Sequence, residues 1–200
     1  MSNARLVPVT LLILLVAAAA GISLAERPRV MLLRDIEGIA HGSLEHPARK
    51  WNVLFFLISD SPIAKQYAPE IQRICTEYET QGAECTLVYV DPSMSEDAIR
   101  QYMKEYRYDC CKAVRDSDHR LVKAAGVSVS SEVAVFAQGA TLKYRGRIDD
   151  FHAALGTSRQ RANRHDLRDA LDDLVAGRQV REPRTEAYGC FISDLASERS

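Results

Sequence analysis

The sequence predicts an α/β fold, a mixed sheet covered by helices on both faces. Three observations carry this expectation. Residues 51–58, WNVLFFLI, form a continuous apolar run of strand length, as in a strand buried on both faces. Ile63, Tyr67, Ile71, Ile74 and Tyr78 then recur at three- and four-residue intervals, the stripe of a helix packed on that strand. Further on, residues 132–137 and 141–145 are strand-like runs parted only by Gln138, Gly139 and Ala140, a spacing that joins antiparallel neighbours.

The remaining elements follow in chain order. Residues 30–38 are an extended apolar run ending in a turn signal at Gly38, and residues 39–44 read as the returning arm of a hairpin. Pro62 suits the first turn of the helix, which runs towards Gly82. Residues 85–90 give a second strand. Ser95 caps a helix through Tyr106, with Glu96 and Asp97 complementing the positive end of its dipole. Asp118 opens a short helix ending at Gly126. Asn163 caps a last helix that carries Leu167, Ala170, Leu171, Leu174 and Val175 on one face and stops at Gly177. A β-α-β-α order followed by a hairpin and a closing helix is what makes the sheet mixed.

The chain has 200 residues, 46% of them hydrophobic, enough for one well-buried core and too few for two full-sized domains. Residues 1–25 read as a secretory signal peptide: Arg5 precedes an apolar stretch over 6–20, and Ser23 and Ala25 set small residues at the cleavage site. Residues 26–177 make the domain and 178–200 a C-terminal tail. The expected location is periplasmic or extracellular, with no stable membrane span once the signal is cut; an uncleaved anchor over 6–24 is the competing reading. A net charge of −1 gives no electrostatic reason to expect nucleic acid as a partner.

Five cysteines, Cys75, Cys85, Cys110, Cys111 and Cys190, meet oxidising conditions in an exported chain, and their odd number leaves at least one free or paired outside the chain. Cys110 and Cys111 are neighbours and poorly placed to pair with each other. With no C-x-x-C and five scattered histidines, no metal is expected. Neither a phosphate-binding glycine loop nor a haem-attachment motif is present, so no cofactor is expected either.

Five segments, LRDIEGIAHGSL (33–44), WNVLFFLISDSPIAKQYAPEI (51–71), DSDHRLVKAAGVSVSSEVAVF (116–136), YRGRIDD (144–150) and GCFI (189–192), resemble a bacterial redoxin family of the thioredoxin-like superfamily, related to peroxiredoxins and thiol-disulfide oxidoreductases. The resemblance implies a thioredoxin-like sheet. Similar proteins carry Asp-Cys-Pro-Ile where this chain has Asp60, Ser61, Pro62 and Ile63, and Thr-Pro-Glu where it has Ser130, Ser131 and Glu132. Both departures fall on the site that the resemblance implies. A thiolate at a helix N-terminus is stabilised by the dipole and free N–H groups; a hydroxyl there neither ionises in the physiological range nor forms a disulfide. Serine catalysis would need a base, and the neighbourhood offers only Asp60. Ser61 therefore reads as an N-cap with Pro62 at the first helical position. Ser131 stands where the resemblance places a cis-proline that shapes the substrate groove, and a cis bond before a non-proline residue costs about 3 kcal/mol, so the loop is expected trans.

Cys190, in GCFI, is implied by the resemblance as a partner of the missing motif cysteine. Two fates remain for it: a bond to Cys110 or Cys111, or an inert apolar thiol. Cys75 and Cys85 read as packing residues, with a Cys75–Cys85 staple as the alternative. Arg145, Arg147, Asp149 and Asp150 read as ion pairs and turn contacts fixing the hairpin to the following helix. Together these readings predict a protein with a degenerate thiol site and a binding or structural role toward a protein or thiol partner. The alternative is a thiol-disulfide oxidoreductase or peroxidase using the relocated Cys110, Cys111 and Cys190.

Overall fold

The structure is a computed structural model and describes residues 32–42, 44 and 49–193. The expected signal segment and the end of the tail lie outside these residues. A five-stranded mixed sheet has the order β5-β4-β3-β6-β7, formed by β3 (Trp51–Leu57), β4 (Ala83–Tyr89), β5 (Lys112–Arg115), β6 (Val133–Ala137) and β7 (Thr141–Gly146). Strand β3 pairs parallel with β4 and antiparallel with β6; β4–β5 is parallel and β6–β7 antiparallel. The hairpin of β1 (Leu32–Arg34) and β2 (Ala40–Gly42) leans on the β5 edge, where the Ile36 amide donates to the Ala113 carbonyl at 3.0 Å.

Alternation along the central strands divides the core. Val53, Phe55 and Leu57 face one layer with Cys85, Leu87, Tyr89, Val133 and Val135. That layer is covered by α1 (Pro62–Glu79), α2 (Glu96–Glu105) and α4 (Asp166–Val175). Leu54, Phe56, Val88, Ala134 and Phe136 face the other, covered by α3 (Arg120–Ala125) and by Ile192 from the tail. This is the two-sided burial that a continuous apolar run requires. Helix α1 buries Tyr67, Ile71, Ile74 and Tyr78, as its periodicity predicts, and is tied to α4 by Arg168, which bridges Glu70 at 2.7 Å and also Glu77, and by the Tyr78 hydroxyl donating to Asp172 at 2.6 Å.

Several element boundaries differ from the sequence expectation. Helix α3 begins at Arg120, not Asp118; Asp116 satisfies its start by accepting from the amides of Arg120 and Val122 at 2.8 and 3.0 Å. Helix α4 begins at Asp166, and Asn163 is no cap: its amide is held by Asp150 at 2.6 Å. Strand β5 is not among the expected elements, because four residues at a sheet edge carry too short an alternation to read. A small hairpin of β8 (His152–Ala154) and β9 (Thr157–Ser158) is likewise additional.

The tail is part of the fold. Buried Asp173 on α4 clamps Arg178 at 2.9 Å and Arg181 at 3.0 Å. The chain then runs along β7, exchanging backbone bonds between Arg145 and residues 183 and 185. At Gly146 a side chain would collide with Thr185, so the close approach requires glycine. Residues 189–192 finally cross the loop that precedes β6.

Candidate functional site

Strand β3 ends at Leu57 and delivers Ser61 to the start of α1, where the Ser61 side chain caps the helix by accepting from the Ala64 amide at 3.4 Å. Ser61 is 1% exposed. Its neighbours Asp60 and Pro62 are exposed, Pro62 occupying the first helical position. Two further groups converge on the Ser61 oxygen: the Ser130 hydroxyl donates at 3.3 Å, and the Cys190 thiol lies 3.6 Å away. No histidine or carboxylate is among these partners, so no base is in place to activate the serine.

Ser130 links the loop to the tail. Its amide donates to the Cys190 carbonyl at 2.8 Å, and its hydroxyl accepts from the Cys190 amide at 3.0 Å. Val129 and Phe191 form an antiparallel bridge, and the Ile192 amide donates to Ser128 at 3.2 Å. Residues 189–192 thus pair as a short strand against residues 128–130. Gly189 makes this approach feasible: a Cβ there would sit 1.9 Å from the Ser130 carbonyl oxygen. Ile192 is buried, whereas Cys190 and Phe191 are exposed.

Ser131 has φ of +67° and is buried; among the described residues there is no cis peptide bond. Its amide donates to the Phe56 carbonyl at 2.7 Å, so the loop is stitched to β3 directly beside the site. Glu132 is also buried. It accepts from the Ser128 amide at 3.0 Å and pairs with Arg145 at 3.4 Å, yet burial outweighs these contacts and raises its pKa above the ordinary 4.5. The hydroxyl contact with Ser61 is thus made by Ser130, a residue that sequence reasoning passed over in favour of Ser131.

The other cysteines lie elsewhere, and of the two fates open to Cys190 the bond to Cys110 or Cys111 is not formed. Cys75 is on α1, about 20 Å of helix beyond Ser61. Cys111 donates to Cys75 at 3.0 Å, Cys110 lies 3.9 Å from Cys111, and the three sulfurs all fall within 4.8 Å of one another. Nor are Cys75 and Cys85 joined: all five cysteines are free thiols. Hydrogen bonds from Cys111 and then Cys75 hold Cys110 well below the ordinary thiol value, while its bond to Cys110 pushes Cys111 up and burial pushes Cys75 up.

The acidic and basic residues around 145–150 are structural contacts. Arg147 pairs with Asp166 at 2.7 Å, Asp149 accepts from the Tyr67 hydroxyl at 2.8 Å, and Asp150 accepts from Asn163 and Arg164 amides. They bind β7 to α1 and α4.

No family model matches the chain, and no curated protein matches it. Solved structures do. A hypothetical protein of Sinorhizobium meliloti aligns with a TM-score of 0.70 at 19% identity, over 83% of this chain and 91% of that one. A thioredoxin-like protein of Aeropyrum pernix aligns at 0.51 and 16% identity, over 59% and 81%. An exposed lipoprotein thioredoxin of Streptococcus pneumoniae aligns at 0.50 and 18% identity, over 58% and 87%. The fold is thioredoxin-like. Among the described residues, no helix is long and apolar enough to cross a membrane.

Proposed function

We propose that this chain is an exported, redoxin-related protein whose helix-terminal site has lost thiol chemistry and serves a binding or structural role. One observation carries the reading: the position at the α1 N-terminus is a buried serine, covered by the chain's own residues 189–192, with Cys190 beside it. A serine there caps the helix and does not exchange disulfides. The tail pairs with residues 128–130 as an added strand, the way extended peptides pair with an open sheet edge, so the groove is filled from within. What a protein or thiol partner meets is the outer side of that strand, the exposed Cys190 and Phe191. Export is supported by the apolar N-terminal segment and accords with the exposed lipoprotein among the structural neighbours.

The test is turnover. The native chain is expected to show none in dithiol-driven disulfide reduction or peroxide consumption, and Ser61→Cys is expected to gain it, because a thiolate at that position would receive the Ala64 amide and the Ser130 hydroxyl. Turnover in the native chain that disappears on Cys190→Ser would contradict the reading.

A further inference from the structure

The sulfur cluster on the far part of α1 has chemistry that the Ser61 site lacks. Cys75 comes from the helix, Cys110 and Cys111 from the turn before β5, and the three sulfurs lie within 4.8 Å of one another. Three sulfurs each about 2.3 Å from a shared ion stand about 4 Å apart. The 3.9 Å between Cys110 and Cys111 matches this, and the 3.0 Å between Cys111 and Cys75 needs to open by about 1 Å, within reach of small side-chain rotations.

We propose that Cys75, Cys110 and Cys111 form a three-thiolate site for a soft metal ion of the Cu(I) class. The donor set selects the ion. Among the described residues no histidine or carboxylate joins the group, which disfavours hard cations, and three ligands fall short of the four that a closed zinc site takes.

Two further features suit a bound ion. The buried hydroxyls of Tyr89, Tyr102 and Tyr108 have no hydrogen-bond partner, and all three side chains belong to the same packed layer as Cys75 and Cys111. Buried polar groups are rarely left so. A cavity of about 370 Å³ leads to the cluster, lined by Cys111, Met103, Tyr108, Arg100, Lys104 and Lys112. It brings a thioether to the entry route, and its walls carry Asp35, Glu37 and Asp109 beside the three cations.

The experiment uses the full chain, reduced and kept anaerobic, titrated with Cu(I) against a chromogenic Cu(I) chelator, with sulfur coordination read by X-ray absorption. The expected result is one ion per chain with three sulfur ligands. Cys110→Ser, at a half-buried position that tolerates change, and Cys75→Ser should each weaken retention at least 10-fold, while Cys190→Ser leaves it unaltered. A melting curve of each variant shows that it folds. Equal retention by the native chain and Cys110→Ser would overturn the proposal. So would failure of the reduced native chain to compete with the chelator, including the case where peptide mapping finds Cys75 and Cys111 joined as a disulfide before reduction.

Discussion

Ser61 and Cys75 are both buried on helix α1, and the helix treats them differently. Ser61 stands at the first turn, where unpaired N–H groups and the dipole favour negative charge, but it carries an oxygen that does not ionise. Cys75 is far along the helix, where the dipole offers nothing, and gathers two more thiols around it. The helix start, where a thiolate would be stabilised, carries a hydroxyl, and three of the thiols are grouped away from it. The two regions thus separate into a covered helix start and a sulfur cluster.

The largest expected effect sharpens that separation. Under native conditions an alkylating reagent should modify the exposed Cys190 and half-buried Cys110 at least 100-fold faster than Cys75, Cys85 and Cys111, whose reaction waits on local opening. Peptide mass mapping over time measures it; uniform rates would erase the distinction. Gly189→Ala comes next. Its Cβ has no room against the Ser130 carbonyl, so the tail should detach, at a cost of about 1–3 kcal/mol, with Cys190 becoming still faster to alkylate and the sulfur cluster unaffected. Chemical denaturation gives the first number and mapping the second.

Ser130→Ala removes the acceptor for the Cys190 amide and the hydroxyl contact with Ser61. A loss of about 1 kcal/mol is expected, since water can reach Cys190 and replace part of what is lost. The smallest effect is one of pH. Because burial raises the pKa of Glu132, the folded chain holds that proton more tightly than the unfolded chain. The resulting stability is complete below the unfolded value near 4.5 and is lost as pH rises through the folded one. The native chain should therefore lose stability relative to Glu132→Gln as pH rises above the unfolded value; denaturation midpoints of both proteins across a pH series provide the check.

How much of this is readable from the sequence depends on how far apart the partners lie. Strand β3 and the stripe of α1 are local patterns, and both emerge where periodicity places them. Helix starts are harder: Asp118 and Asn163 are good capping residues, yet Asp116 and Asp150 control those turns through contacts that no local pattern records. The sulfur cluster joins residues 36 positions apart, and the Cys190–Ser61 contact spans 129. Spacing rules for metal ligands look for cysteines within one turn, so a set divided between a helix and a strand entry escapes them. The resemblance does single out Ser61 and GCFI separately. What it could not show is that the second folds back onto the first, with Gly189 providing the clearance.

The Ser61 oxygen caps α1 with the Cys190 thiol as its resident neighbour. Peptide mapping of Ser61→Cys after mild oxidation with a small-molecule disulfide tests this directly. The account predicts that the introduced thiol joins Cys190 in a disulfide, the dominant cross-link, formed without perturbing the thiols of Cys75, Cys110 and Cys111. An introduced thiol that stays reduced, or that pairs with the sulfur cluster in place of Cys190, would contradict it.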